Sequence, residues 1–184
     1  MRTQNLMTYN PMAQHMGSWL LGYNWNIYGT GTYANPVSVS YAEILMKRFM
    51  ERLDRKLGAP VSYFAALERR TSGCGLSPIA AHWHFLAACP RSEGMARIAE
   101  ELWEEKFGNA KIVPYDKVGN AAFYVCKLAN HPNGLIQFNK LEQLAYDGPS
   151  DLLAAAAANP YVSEHLKGKV FGEYLVAREA EAAS

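Results

Sequence analysis

The sequence predicts an α+β fold in which helices pack against a mainly antiparallel sheet. Strand-like runs of aromatic, β-branched and small residues alternate with segments whose apolar residues recur at helical spacing. Two of these runs, 61–70 and 80–89, are separated only by a loop rich in turn-forming residues, which is typical of an antiparallel hairpin. The predicted order of elements is therefore β-α-β-β-α-β-α.

The first strand and the first helix have recognisable boundaries. Residues 24–33 predict a strand because aromatic and β-branched residues alternate with small ones until Asn35. Ser40 and Glu43 form a capping box that opens the helix, and Gly58 is expected just beyond its end. The apolar residues at helical spacing in this helix are Ile44, Leu45, Phe49, Leu53 and Leu57.

The alternation of strands and helices continues after the hairpin. Ser92 is expected to cap a helix that ends at Phe107 and Gly108. Residues 111–115 predict a short strand, and residues 118–130 predict a further helix. The helix after Ser92 carries its apolar residues on one face: Met95, Ile98, Ala99, Leu102 and Trp103.

Composition limits the size and class of the protein. The chain has 184 residues, 49% of them hydrophobic, which is enough to bury the core of one domain. We expect residues 1–140 to form the main domain and residues 141–184, with an alanine run and a polar end, to form a peripheral helical extension. Because the formal net charge is +1, any basic surface that binds nucleic acid must be local.

The cysteines and the hydropathy pattern bear on the cellular compartment. Cys74, Cys89 and Cys126 are widely spaced, which fits neither a disulfide framework nor the paired spacing of a structural zinc site. Residues 1–15 lack the pattern of a signal peptide, and no apolar run is long enough to span a bilayer. We therefore expect a soluble cytoplasmic protein with no membrane partner.

The strongest candidate for chemistry is the pair His82 and His84, with Trp83 between them. Residues i and i+2 of a strand point to the same face, so the two imidazoles are expected side by side. Neutral imidazole is the commonest side-chain metal ligand, and two imidazoles on one strand need only a nearby carboxylate to complete a site for a divalent cation. The alternative is a pair of hydrogen-bonded histidines in the core.

Glu68 is the candidate carboxylate, because it ends the otherwise apolar run that faces the histidine strand. If the hairpin pairs in its simplest register, Glu68 lies opposite a residue near His82 and within reach of both imidazoles. The alternative is a solvated glutamate at the end of a strand.

Tyr124 and Lys127 are three residues apart in the last predicted helix and therefore share one face. A tyrosine and a lysine so placed are suited to act as a nucleophile and a charge stabiliser. The alternative is a core tyrosine beside an exposed lysine, a pair that amphipathic helices often contain.

Taken in order, these motifs resemble the three motifs of the HUH endonucleases. The run 28–33, then Glu68 and the His82-Trp83-His84 strand, then Tyr124 with Lys127 are most similar to single-tyrosine Rep proteins that initiate rolling-circle replication of phages and plasmids. The resemblance extends from Trp25 to Asn130.

The chain departs from the family pattern at three points. Gly31 stands where a bulky hydrophobic residue is common, and Leu128 follows Lys127 where many phage-type relatives have a tyrosine. The second departure indicates a one-tyrosine enzyme. No Gly-rich loop ending in Gly-Lys-Ser/Thr is present, so the helicase that is fused to some viral Rep proteins is missing.

The resemblance implies metal-dependent, sequence-specific nicking and joining of single-stranded DNA through a covalent 5′-phosphotyrosine. Tyr124 would be the nucleophile and Lys127 its helper, with Mg²⁺ or Mn²⁺ held by Glu68, His82 and His84. The implied partners are a single-stranded origin or hairpin and the replication machinery of a host.

Binding of DNA also needs residues that contact its backbone and bases. The basic candidates are Arg69 and Arg70 beside Glu68 and Lys47 and Arg48 in the first helix, although the helix residues fit an ordinary solvated face equally well. The candidates on the first strand are Tyr28, Thr30 and Thr32.

Three other functions fit the same residues. A transposase or mobilisation enzyme would share all the motifs. A non-catalytic nucleic-acid-binding module on the same fold would retain the metal ligands as a relic. An unrelated metallohydrolase that acts on small phosphoesters would use the metal without a tyrosyl intermediate.

Overall fold

A computed structural model describes residues 11–68, 81–128 and 134–145. Within these ranges one five-stranded sheet has the order β4-β1-β3-β2-β5, and every neighbouring pair is antiparallel. The strands are β1 (Ile27–Tyr33), β2 (Ser62–Glu68), β3 (His82–Ala88), β4 (Gly108–Pro114) and β5 (Gly134–Asn139). The helices are α1 (Pro11–Leu21), α2 (Val39–Leu57), α3 (Met95–Lys106) and α4 (Ala121–Val125). The predicted α+β class, an antiparallel sheet flanked by helices, is confirmed.

Helices cover both faces of the sheet. Phe49 of α2 and Trp103 of α3 pack with Phe85 on one face, whereas Trp19 of α1 packs with Phe64 on the other. Strands β2 and β3 are therefore buried on both sides. Because side chains alternate along a strand, the two histidines of β3 share the face that α1 and α4 cover.

The end of α2 is as predicted, but its start is not. Gly58 lies in the left-handed region, with φ at 65°, and donates its N–H to the carbonyl of Asp54. The expected capping box at Ser40 is wrong, because Ser38 already caps the helix by accepting a hydrogen bond from the Tyr41 amide. The helix therefore begins at Val39.

The apolar residues predicted for α2 divide between the core and the surface. Phe49, Leu53 and Leu57 are buried against the sheet, as their spacing predicts. Leu45 is only partly buried, and Ile44 is 47% exposed. The buried face of α2 therefore includes Met46, which the sequence prediction did not name, and leaves out Ile44.

The start of α3 also differs from the prediction. Gly94, with φ at 64°, is the N-cap, and Ser92 contributes its backbone carbonyl, rather than its side chain, to the amide of Met95. The end of α3 is as expected, since the Phe107 amide bonds to the carbonyl of Trp103. Strand β4 then begins at Gly108, earlier than the residues 111–115 predicted for it.

The helix predicted at 118–130 is broken into shorter pieces. A 3₁₀ turn, Lys117–Gly119, precedes α4, and a second one, Cys126–Leu128, follows it. Asn120 lies between the first turn and α4 with φ at 58°, a left-handed conformation that a continuous helix does not accept. Tyr124 and Lys127 therefore stand on a helical turn and the 3₁₀ turn that continues it.

Helix α1 and strand β5 have no counterpart in the sequence prediction. Helix α1 covers the face of the sheet that carries the histidines, and it contacts α4 closely at Gly17, where a Cβ would lie 2.3 Å from the Phe123 ring. Strand β5 extends the sheet beyond β2. Of the extension expected at 141–184, only residues 141–145 are described, and they begin with a 3₁₀ turn, Leu141–Gln143.

No helix in the described ranges has both the length and the apolar character that crossing a membrane requires.

At Gly31 another element fills the space that a larger side chain would occupy. A Cβ at Gly31 would lie 2.5 Å from the indole of Trp103, which is fully buried. We expect Gly31→Ala to lower the free energy of unfolding by about 2–3 kcal/mol through overpacking. Thermal denaturation measures the loss, and a smaller effect of the same change in a Trp103→Phe background would trace it to this contact. Equal losses in both backgrounds would contradict the explanation.

Candidate metal centre and adjoining tyrosine

The pairing of β2 with β3 brings the three candidate ligands together. Glu68, the last residue of β2, lies directly opposite His82, and Ala66 lies opposite His84. Cross-strand partners point to the same face of a sheet, so the carboxylate and both imidazoles share one side. The register predicted for the hairpin is confirmed.

One carboxylate oxygen is the centre of this group. Glu68 Oε2 lies 3.1 Å from Nε2 of His82 and 3.1 Å from Nε2 of His84. The two imidazole rings are perpendicular, with centroids 4.9 Å apart. Glu68 and His84 are buried, whereas His82 is partly exposed and marks the side from which solvent reaches the group.

The second nitrogen of His84 is held by β1. Its Nδ1 lies 3.0 Å from Thr30 Oγ1 and 3.4 Å from the hydroxyl of Tyr28, and those two oxygens are 3.3 Å apart. A hydroxyl can donate to Nδ1 or accept from it, so Thr30 can serve either neutral tautomer of the ring. When Nδ1–H donates to Thr30, the lone pair of Nε2 is available to a metal ion.

Lys127 joins the metal group to Tyr124. Its Nζ lies 2.6 Å from Glu68 Oε2 and 4.0 Å from the centre of the Tyr124 ring. The Tyr124 ring itself stands edge-on to His84, with centroids 4.8 Å apart, and edge-on to Tyr28 at 6.4 Å. The structure therefore brings together all five residues that the sequence predicts for the metal group and the nucleophile.

The protonation states at neutral pH suit a cation site. Burial raises the pKa of Glu68, but hydrogen bonds from Lys127 and His84 outweigh burial and bring it down to about 2. Burial, together with the charge of Lys127, lowers the pKa of His84 to about 4. Burial also lowers the pKa of Lys127, but hydrogen bonds with Glu68 and Tyr124 outweigh it and raise the pKa above its ordinary value. Glu68 is thus ionised, His84 neutral and Lys127 charged.

The Glu68, His82 and His84 group can bind a metal ion. Its three candidate ligand atoms lie within 4.8 Å of one another, close enough for one ion to reach all of them with modest side-chain movement. Two imidazole nitrogens and one carboxylate leave further coordination positions for water or substrate. Because the ligands stand on two central, paired strands, the backbone fixes their spacing.

The structure places the predicted DNA-binding residues differently from one another. Tyr28 and Thr30 hydrogen-bond to His84, and Thr32 lies opposite His82 on the same face. Lys47 and Arg48 are exposed on α2, on the opposite side of the sheet from the metal group, so they are not brought to the site. Arg69 and Arg70 lie outside the described residues.

Two further features near the site are absent from the sequence prediction. Lys111 of β4 is exposed and lies opposite Thr30 on the face that carries the histidines. A cavity of about 370 Å³ adjoins the outer side of Tyr124, between β4 and α4. The sequence predicts a strand at Lys111, but no local pattern indicates which strand β4 pairs with or which face Lys111 occupies. The cavity is lined by Tyr28, Val113, Pro114, Asp116, Asn120, Ala121 and Tyr124.

Thr30 is expected to support the metal group without binding the ion. We expect Thr30→Val, which keeps the shape and removes the hydroxyl, to weaken Mn²⁺ binding by about tenfold, the lower end of the usual ~10- to 100-fold range, because His84 loses the shorter of its two outer hydrogen bonds and keeps the longer one with Tyr28. Titration followed by electron paramagnetic resonance measures the dissociation constant. Thr32→Val is the matched control, since in the described residues Thr32 makes no hydrogen bond to His84. Equal effects of the two changes would contradict the assignment.

No protein-family model, curated protein or solved structure matches the chain. The functional assignment therefore depends on this chain's own residues and on the distances between them.

Proposed function

We propose that the protein is a metal-dependent endonuclease and strand transferase that acts on single-stranded DNA, with Tyr124 as its nucleophile. One observation carries the proposal: a phenol ring packs against an imidazole of the metal group, and Lys127 lies between that ring and Glu68. A histidine pair alone fits many metalloproteins. A tyrosine and a lysine in contact with it favour transfer of a phosphoryl group to the tyrosine.

Glu68, His82 and His84 would hold the ion, and Mg²⁺ or Mn²⁺ is favoured because the remaining ligands would be oxygens of phosphate and water. The same donor set also fits Zn²⁺ or Fe²⁺, so the preference depends on the proposed substrate. The bound ion supplies polarisation of the phosphodiester and neutralisation of the charge that develops on it.

Tyr124 supplies the nucleophile. Its hydroxyl oxygen forms a bond to phosphorus as the bond from phosphorus to the 3′-oxygen breaks, so the 5′-phosphate stays on the protein. The phenol loses its proton, and the departing 3′-oxygen ends as a hydroxyl. Lys127, which remains charged beside the ring, stabilises negative charge on the phenol oxygen or on the phosphate.

The reverse reaction rejoins the strands. A 3′-hydroxyl attacks the tyrosyl phosphate and restores a phosphodiester. Because the covalent link to tyrosine conserves the free energy of the broken phosphodiester bond, no ATP is needed. This nick-and-join cycle is what initiation of rolling-circle replication requires. A transposase or mobilisation enzyme would use the same cycle on a different DNA target.

The surroundings of the site agree with an extended, negatively charged substrate. Lys111 and Thr32 lie on the same face as the metal group, beyond the part of β3 that α1 and α4 cover. Lysine ammonium groups and threonine hydroxyls contact phosphate oxygens in many protein–DNA complexes. A single strand that crosses β4 and β1 would therefore reach the metal group from its exposed side.

The test is an adduct assay with the full chain, Mn²⁺ and a pool of single-stranded oligonucleotides labelled at the 3′ end. A covalent adduct that forms with Mn²⁺, fails with chelator and maps to the peptide containing Tyr124 would support the proposal. Binding of DNA without any adduct, across the pool, would favour a binding module. Turnover of small phosphoesters without an adduct would favour a metallohydrolase.

A further inference from the structure

Lys127 occupies a position that its proposed role in catalysis does not by itself require. Its Nζ makes its shortest contact, 2.6 Å, not with Tyr124 but with Glu68 Oε2. The same oxygen is the one that Nε2 of His82 and of His84 approach at 3.1 Å. One oxygen atom therefore faces two imidazoles and an ammonium group.

A carboxylate oxygen has room for about two strong partners, one for each lone pair. Three groups already lie within 3.1 Å of Oε2, so a divalent cation that binds this oxygen takes the place of at least one of these contacts. His82 and His84 are themselves ligands of the cation and stay beside it. Lys127 is the one of the three that is not a ligand of the cation, and it competes with the cation for the negative charge of Glu68.

Charge leads to the same conclusion. The carboxylate and the ammonium group neutralise each other, whereas a divalent cation and the ammonium group repel each other when they share one oxygen. Lys127 is half-buried, with 17% of its side chain exposed, so the repulsion is only partly screened by water. The π face of Tyr124, 4.0 Å from Nζ, offers the ammonium group a second partner that the cation does not use.

We propose that Lys127 is an internal competitor of the metal ion: its ammonium group holds Glu68 until a divalent cation displaces it, and the displaced group is then held by Tyr124 alone. Metal loading thereby leaves Tyr124, which Lys127 already contacts, as the remaining partner of the ammonium group. The carboxylate of Glu68 is therefore always paired with a positive charge, either the Lys127 ammonium group or the metal ion. The inference concerns the same site as the proposed function, but it does not depend on DNA.

The first test measures the dissociation constant for Mn²⁺ by electron paramagnetic resonance. Lys127→Met removes the charge and keeps the length of the side chain, and it is expected to tighten Mn²⁺ binding by about tenfold or more, a factor equivalent to ~1.4 kcal/mol. Lys127→Arg keeps the charge and is expected to bind Mn²⁺ no more tightly than the unmodified protein. Unchanged or weaker binding by Lys127→Met would overturn the proposal.

The matched control is a second lysine with the same kind of ion pair. Lys140 Nζ lies 2.6 Å from Oδ2 of Asp54, a residue of α2, and both side chains are about a quarter exposed. Lys140→Met is expected to leave the dissociation constant for Mn²⁺ unchanged. If it tightens binding as much as Lys127→Met does, the effect is one of net charge and the proposal fails.

A second test needs no substitution and so does not depend on how the variants fold. In ¹⁵N-labelled protein, the ammonium signal of Lys127 is expected to shift when Mg²⁺ is added, whereas that of Lys140 stays in place and serves as the internal reference. A Lys127 signal that does not move at saturating Mg²⁺ would overturn the displacement. Neither test contains DNA, so absence of nicking would not contradict this inference. Unchanged Mn²⁺ binding by Lys127→Met would contradict this inference but not the proposed nicking activity.

Discussion

Tyr124→Phe is expected to abolish the covalent adduct with single-stranded DNA, a loss of at least about 1,000-fold, because the phenol oxygen is the atom that bonds to phosphorus. The substitution removes the hydrogen bond between Lys127 and the Tyr124 hydroxyl, but the ring contacts with His84, Tyr28 and Lys127 are retained. Mn²⁺ binding should therefore be nearly unchanged, and the free energy of unfolding should change by no more than about 1 kcal/mol. The measurement is the rate of adduct formation on denaturing gels.

Tyr28→Phe is the matched control for this substitution. Tyr28 is a second tyrosine at the site, and its hydroxyl lies 3.4 Å from Nδ1 of His84. If Tyr124 is the nucleophile, Tyr28→Phe still forms the adduct, at a rate reduced only as far as the orientation of His84 suffers. The reverse result, an adduct with Tyr124→Phe and none with Tyr28→Phe, would move the nucleophile to β1 and contradict the assignment.

Glu68→Gln is expected to have the second large effect, because one carboxylate serves two purposes. As a ligand it contributes the only negative charge of the metal group in the described residues, so Mn²⁺ binding should weaken by more than the ~10- to 100-fold that loss of an outer hydrogen bond costs. As the partner of Lys127 it neutralises a half-buried ammonium group, so its loss should also lower the free energy of unfolding by about 2 kcal/mol. Metal titration and chemical denaturation measure the two effects separately.

Asp54→Asn distinguishes the two purposes. Asp54 forms an ion pair of the same length with Lys140 and also accepts a hydrogen bond from the amide of Val61, but it lies away from the metal group. A comparable loss of stability with no change in Mn²⁺ binding is the expected result. If Glu68→Gln binds Mn²⁺ as well as Asp54→Asn does, Glu68 is not a ligand, and the two histidines are core residues held by a salt bridge.

The parts of the site that the sequence predicts are those fixed by local geometry. His82 and His84 share a face because strand side chains alternate, and Glu68 meets them because the hairpin pairs in its simplest register. Tyr124 and Lys127 stay on one side even though their helix is interrupted, since a helical turn and the 3₁₀ turn after it keep residues three apart close together.

The parts that the sequence does not predict depend on pairing between distant strands. Thr30 supports His84 only because β1 inserts beside β3, 54 residues away along the chain, and no local pattern fixes that register. Lys111 reaches the same face because β4 pairs with β1. Motifs and periodicity predict neither position relative to the metal group, although the sequence shows each residue as a polar side chain in a predicted strand.

The predicted helix boundaries were wrong for a different reason. Ser38 and Ser40 are both good N-cap residues, and the presence of Glu43 favoured the second. The structure uses Ser38, whose side chain accepts a hydrogen bond from the amide of Tyr41, so the helix begins at Val39. The break at Asn120 depends on a left-handed backbone conformation, which asparagine tolerates. The presence of an asparagine alone does not predict that conformation.

The location of the histidines on β3 links the site to the cooperativity of the whole fold. β3 is the middle strand of the five, hydrogen-bonded to a neighbour along each edge and covered above and below. Amide protons in such a strand exchange with solvent only when the entire domain opens. Warming should therefore keep His84 in place up to the melting point and release it in the same transition as the rest of the domain.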